Sequence, residues 1–178
     1  MGLRIGLLTE KYPAEIGGLA RHSDRVARML AVYGIDVVVI APTSKLAPGD
    51  QQQEMRERVT EIRFGVHKHS GDTLQDWHDI ALAAKKKFGL ELFHALHASY
   101  AAYVAVYTGR YAGIPSVVSM RGTDMDSALV DPRRMPLVSW AMEKAEAVCA
   151  PSMELGKKVH TLIGKRPVYL VPNSVDAD

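Results

Sequence analysis

Leu3-Arg4-Ile5-Gly6-Leu7-Leu8-Thr9, a short loop holding Pro13, then Gly17-Gly18-Leu19-Ala20-Arg21-His22-Ser23: this opening stretch decides the fold. The first run has strand length and is apolar at nearly every position, the pattern of a strand buried on both faces. The second opens a helix-period segment from Gly18 to Tyr33, with Leu19, Ser23, Val26, Ala27 and Leu30 on one face. Arg21, Asp24, Arg25 and Arg28 take the other side, as a surface helix requires. Gly34 then suits a left-handed cap, and the run from Ile35 to Ala41 reads as a second strand. The glycine pair at the hand-over admits two readings. Without Cβ atoms it lets the backbone pass close to a ligand beside the unpaired N–H groups of a helix start, a cradle for a phosphate or a sugar hydroxyl. It could equally be only the turn that admits the helix to the sheet.

Outward from this unit, strand-length apolar runs keep alternating with helix-period segments, the sequence sign of a parallel sheet covered on both faces. The stretch from Pro42 to Met55 turns polar, with Pro48-Gly49-Asp50 and Gln51-Gln52-Gln53, and is expected to be an exposed loop. Val59 to Phe64 alternates as a half-exposed strand near the sheet edge. Helices are expected from Leu74 to Phe88, Tyr100 to Ala112, Pro132 to Ala145 and Met153 to Ile163. Strands are expected from Leu92 to His97, Ser116 to Met120, Ala147 to Ala150 and Val168 to Val171. The class is α/β: a Rossmann-like, doubly wound, mainly parallel sheet of about seven strands.

With 178 residues, 47% of them hydrophobic, the chain can bury one respectable core. Its 22 basic and 20 acidic residues are interspersed and leave a formal charge of +2, so no broad field exists to hold a nucleic-acid backbone. Lys85-Lys86-Lys87 fits the last turn of a helix, where cations suit the dipole. The single Cys149 excludes an intramolecular disulfide framework and a cysteine-based zinc site, and its apolar surroundings mark a core residue. No segment offers about 18 charge-free apolar residues, and the N-terminus lacks the pattern of a signal peptide, so the expected location is the cytoplasm.

Ligands of open parallel sheets gather at the carboxyl ends of the strands. G-x-G-x-x-G is missing, and Ala41-Pro42-Thr43-Ser44 brings no carboxylate for a ribose, which argues against a dinucleotide oxidoreductase. There is no phosphate-binding G-x-x-x-x-G-K-[ST] and no nucleophile elbow. His94 and His97 point to opposite faces of a regular strand, so a shared metal is not expected. Three further loops fall on the edge that carries Gly17-Gly18: His97-Ala98-Ser99, Arg121-Gly122-Thr123-Asp124 and Pro151-Ser152. Arg121 could hold a phosphate or carboxylate in bidentate geometry, or pair with Asp124 or Asp126 and merely shape its loop. Arg133-Arg134, beside Met135, Leu137 and Trp140, could touch an anionic lipid surface, but a helix packed on the sheet explains the same spacing and is preferred.

Five stretches, taken in order, carry a resemblance: Gly17-Gly18-Leu19-Ala20-Arg21-His22, Phe93-His94-Ala95-Leu96-His97, and Val117-Val118-Ser119-Met120-Arg121-Gly122-Thr123-Asp124, followed by Ala147-Val148-Cys149-Ala150-Pro151-Ser152 and Val171-Pro172-Asn173-Ser174-Val175-Asp176. Together they resemble the N-terminal domain of the family 4 glycosyltransferases, retaining enzymes of the GT-B fold that use nucleotide sugars. The resemblance implies an N-terminal domain over residues 1–171, an interdomain linker starting at 172–178, and a donor-binding C-terminal domain outside this chain. It implies sugar transfer from a nucleotide-diphosphate sugar to an acceptor hydroxyl, with no metal and no further cofactor. The chain alone, with half of the donor site elsewhere, is expected to be inactive. Gly17 and Gly18 would approach the donor diphosphate, and His22, His97, Ser99, Arg121, Gly122, Thr123, Asp124 and Ser152 would line the cleft or meet the acceptor. The family often has a histidine before Gly-Thr-Asp; here it is Arg121, the one catalytic candidate within the chain. The implied partners are a nucleotide sugar, a carbohydrate or lipid-linked acceptor, the latter met by peripheral contact at the inner face of the membrane, and the C-terminal domain itself. Two alternatives stay open: another GT-B enzyme, such as a sugar-nucleotide epimerase or a phosphorylase, and a stand-alone nucleotide or sugar-phosphate binding module.

Overall fold

The computed structural model describes residues 2–13, 15–122, 130–164 and 167–173. In chain order the elements are β1 (Arg4–Leu8), α1 (Gly18–Val32), β2 (Asp36–Pro48), β3 (Gln51–Arg56), β4 (Val59–Gly65), α2 (Ser70–Phe88) and β5 (Leu92–Leu96). They continue with α3 (Tyr100–Ala112), β6 (Ser116–Ser119), α4 (Met135–Lys144), β7 (Ala147–Ala150), α5 (Met153–Ile163) and β8 (Val168–Leu170). The described strands form one sheet in the order β3-β4-β2-β1-β5-β6-β7-β8. Every neighbouring pair is parallel except β3 with β4. The doubly wound α/β expectation holds, with eight strands in place of about seven.

The additional strand corrects the reading of Pro42 to Met55 as a loop. Strand β2 runs on to Pro48 through a register shift between Thr43 and Pro48, and Gly49, at φ 85°, turns the chain into β3. All six residues of β3 are exposed, so burial imposes no apolar alternation and its Gln-rich sequence reads as loop. Only backbone bonding to β4 marks it as a strand. That cover on its edge also buries β4 along its whole length, where half-exposure was expected. Its two charged side chains are accommodated locally. Arg63 donates to the Pro13 carbonyl at 3.3 Å and meets Glu15 at 3.5 Å, while burial raises the Glu61 carboxyl above its ordinary range.

Alternating side chains of the central strands feed two clusters, as the pleat dictates. Leu8, Val38, Ile40 and Phe93 join residues of α2, α3, α4 and α5 in the larger one; Ile5, Leu7, Val37 and Val39 join Ala27 and Ala31 of α1 in the smaller. The buried face of α1 is turned from the expected one. Asp24, expected on the solvent side, is buried, accepts from the Tyr12 hydroxyl at 3.2 Å and pairs with Arg28 at 2.7 Å. Lys85, Lys86 and Lys87 occupy the last turn of α2, closed by Gly89 in the left-handed region. Helix α4 buries Val138, Ala141 and Met142 and lays Trp140 against Tyr103, so core and helix packing account for its apolar spacing. No helix among the described residues is long and apolar enough to cross a membrane.

Candidate functional site

From β1 the chain winds outward through β2 to β4, then returns to lay β5 on the other side of β1. This reversal of strand order leaves a crevice at the carboxyl ends of β1 and β5, where open α/β sheets bind ligands. Glu10, just past β1, spans it by accepting from the Tyr100 backbone N–H at the start of α3, at 3.2 Å.

The loop from β1 to the glycine pair is pinned on several sides. The Thr9 and Ser23 hydroxyls meet at 2.8 Å, Tyr12 is buried against Asp24, and the Arg63 guanidinium lies 5.9 Å from the Tyr12 ring centroid. The glycines that follow have different reasons to be glycine. Gly17, before α1, has φ 143° and ψ 165°, a region essentially closed to residues with a Cβ. Gly18 is the first residue of α1, and a Cβ built on it would meet nothing within 4 Å. The turn therefore requires Gly17, whereas Gly18 keeps an open space before the helix N-terminus.

One turn into α1, His22 lies within electrostatic reach of Arg121 beyond β6 and, across the edge, of His94 on β5. Burial, then Arg121 and Arg25, lowers the His22 ring from 6.5 to about 4; burial, then Arg121 and His22, lowers His94 to about 4. Both imidazoles are neutral at pH 7. His94 Nε2 lies 2.8 Å from the Ser119 hydroxyl, while the buried His22 Nε2 has no hydrogen-bond partner among the described residues. Arg121 Nη1 donates to Asn173 Oδ1 in the segment after β8. Asp124 and Asp126, its expected ion-pair partners, lie outside the described residues, as does Thr123. Cys149, on β7, is partly buried; burial pushes its thiol up despite opposing pulls from Ser119 and Arg121, which does not suit a nucleophile.

The remaining candidates disperse. His97 follows β5 at φ 124°, an unusual conformation for a residue with a Cβ. Ser99 caps α3 by accepting from the Ala101 N–H, and Ser152 caps α5 by accepting from the Leu155 N–H at 3.2 Å. Gly122 has φ 114°. Ser152 also borders a shallow cavity of about 70 Å³ between α5 and β8.

A cavity of about 290 Å³ at the crevice collects residues that the sequence did not single out together: Glu10, Pro42, His67, Lys68, Tyr100 and Arg134. The Arg134 guanidinium lies 5.0 Å from the Tyr100 ring centroid and pairs with Asp131 at 3.4 Å. His67 Nε2 lies 2.7 Å from Asp76 on α2. Behind them Trp77 is fully buried and donates from Nε1 to the Ile40 carbonyl at 3.2 Å. Their one sequence signal was position: each polar lining residue sits in or just past the connection that follows a parallel strand.

The family model described as Glycosyltransferase Family 4 matches residues 16–178. The chain belongs to this family. No curated protein sequence matches it. Among solved structures, a sucrose-phosphate synthase from Thermosynechococcus elongatus aligns at TM-score 0.70 and 16% identity, covering 97% of this chain and 90% of that one. A glycosyltransferase from Rickettsia africae aligns at 0.60 and 12% identity, over 98% of this chain and 44% of that one. The UDP-GlcNAc 2-epimerase from Methanocaldococcus jannaschii aligns at 0.62 and 12% identity, over 95% of this chain and 45% of that one. The family 4 chain thus has their fold and spans less than half the length of the last two.

Proposed function

We propose that this chain is the acceptor-binding, N-terminal domain of a retaining glycosyltransferase that moves a sugar from a nucleotide-diphosphate sugar to an acceptor hydroxyl. The observation that carries the reading is the open space at Gly18, next to a helix N-terminus and within reach of the His22, His94 and Arg121 cluster. Arg121 and the unpaired N–H groups of α1 meet the negative charge that develops on the leaving diphosphate, fixed dipoles stabilising it electrostatically. The neutral imidazoles supply hydrogen bonds to sugar hydroxyls, and the buried His22 Nε2 gains a partner when one arrives. The acceptor enters the crevice cavity, where Lys68 and Arg134 favour one bearing an anionic group.

Residues 1–171 form the domain on this reading, 172–178 begin the linker, and the donor base is held by a C-terminal half outside this chain. Family membership favours transfer over the epimerisation carried out by several proteins of similar fold. The test is the product of the whole gene, incubated with UDP-, GDP- and ADP-sugars and a panel of acceptors, with the anomeric configuration of the product read by NMR. A new glycosidic bond with retained configuration is expected, and the 178-residue chain alone should turn over nothing. Epimerisation of a free UDP-sugar without an acceptor would overturn the reading.

A further inference from the structure

Beside the crevice cavity lies a second one, of about 270 Å³, in the groove between α2 and α3, and Leu74 of α2 lines both. Along this groove α3 presents Tyr100, Tyr103, Tyr107 and Tyr111, spaced three and four residues apart and hence along one face of the helix. Tyr103 and Tyr107 stack at 5.8 Å and 23°, and Trp140 of α4 backs both, at 5.5 and 6.5 Å. From the opposite bank His78 stands edge-on to Tyr107 and Tyr111, its ring oriented by a 2.8 Å contact between Nδ1 and the buried Thr108 hydroxyl. Tyr107 is 43% exposed and Tyr111 69% exposed.

We propose that this lane binds the distal part of an extended oligosaccharide acceptor whose terminal hydroxyl lies in the crevice cavity, an inference that rests on the transferase reading above. From Tyr100 to Tyr111 the lane covers about 16 Å at 1.5 Å per residue, enough for a run of sugar rings rather than one. The lining fits that occupant. A sugar ring offers an apolar C–H face to a tyrosine and hydroxyls to the phenol, imidazole and amide groups on the rim. A hydrocarbon chain would instead strip water from the Gln75 amide, the His78 ring and the tyrosine hydroxyls without replacing their hydrogen bonds.

The test is an array of immobilised mono-, di-, tri- and longer saccharides probed with the 178-residue chain, with the Tyr107→Ala/Tyr111→Ala double variant and with the corresponding double Phe variant. Phosphatidylcholine vesicles containing phosphatidylglycerol are run in parallel. Both tyrosines are exposed, and unchanged thermal melting verifies that the variants fold. At least one glycan class should bind with a gain of roughly tenfold from one unit to three or more, lost in the Ala variant and kept in the Phe variant. No glycan with a length-dependent gain, or tyrosine-dependent binding of vesicles in its place, would overturn the proposal. Failures of the two readings are distinguishable. Transfer to a monosaccharide, with no length preference and indifferent to both tyrosines, removes the lane and leaves the transferase standing; tyrosine-dependent binding with no transfer by the whole protein does the reverse.

Discussion

Gly18→Ala separates what the glycine pair does for the fold from what it does for a ligand. The added methyl meets no atom within 4 Å, and position 18 is already helical, so the folded state accepts it without strain. Replacing glycine there narrows the unfolded ensemble and stabilises by about 0.4–1 kcal/mol. In a chain of this size that raises Tm by roughly 1–4 °C. The neighbouring change has the opposite sign. Gly17→Ala forces a Cβ onto φ 143°, ψ 165°, at a cost of about 1–3 kcal/mol and a correspondingly lower Tm. Function should reverse the ranking. On the proposed function, the methyl of Gly18→Ala would fill the space through which the donor diphosphate reaches the α1 N–H groups, and loss of that contact should cost kcat/KM roughly 10- to 100-fold, about 1.4–2.7 kcal/mol of transition-state stabilisation. Calorimetry on the chain and transfer rates of the whole enzyme, each for both variants, make the comparison. Wild-type transfer by Gly18→Ala would refute the cradle, and a fall in its Tm would refute the claim that position 18 faces open space.

Gly65→Ala would place a Cβ 1.9 Å from the Ala47 carbonyl oxygen, so the seam between β2 and β4 must open; a loss of about 1–3 kcal/mol in urea unfolding is expected, with hydrogen-exchange protection falling first in β3 and β4. Trp77→Phe leaves the Ile40 carbonyl without its indole donor and should cost about 1–2 kcal/mol in the same assay, with no change in far-UV circular dichroism. The pH dependence follows from His22 and His94, which fall from 6.5 to about 4 on folding. The unfolded chain takes up their protons first, so this stability is fully present above pH 6.5 and is lost as pH falls toward 4, by roughly 3 kcal/mol at most for His94 and by less for the half-buried His22, whose charge solvent screens. His94→Gln should flatten the slope of unfolding free energy over that window, and an unchanged slope would show that the ring is not neutral in the fold.

What the sequence made legible was set by burial. The strands β1, β2 and β5 to β7 are covered on both faces and announce themselves as apolar runs, whereas β3 is exposed along its length and its Gln51-Gln52-Gln53 carries no such mark. On α1 the positions were right but the rotation was not. Asp24 is buried because the Tyr12 hydroxyl and Arg28 satisfy it; the i,i+4 spacing offers Arg28, but Tyr12, in the loop before the helix, cannot be assigned to it from periodicity. The glycine pair was visible and its ambiguity real, because only backbone torsions distinguish Gly17 from Gly18. Ser99 and Ser152 looked like ligand groups for a reason that helix starts share with binding sites: both place a hydroxyl beside unpaired N–H groups, and here each hydroxyl caps its own helix. The crevice cavity draws single residues from several connections, so no local motif could have assembled Glu10, Lys68, Tyr100 and Arg134.

Arg121 ties the electrostatics of the cleft edge to its connectivity. A guanidinium keeps its charge throughout the pH range in which proteins fold, so its contribution to the neutrality of His22 and His94 does not switch off. A neutral imidazole offers one donor and one acceptor, which suits hydroxyls, while a fixed cation and helix N–H groups suit an anion. Where the family often places a histidine, this chain therefore has a permanent charge beside two rings held ready for hydrogen bonding. The same side chain donates to Asn173, beyond β8, so the charge that the two histidines feel sits beside the segment that leaves the sheet. The polarity of the cleft edge and the chain leaving the sheet thus meet at one residue.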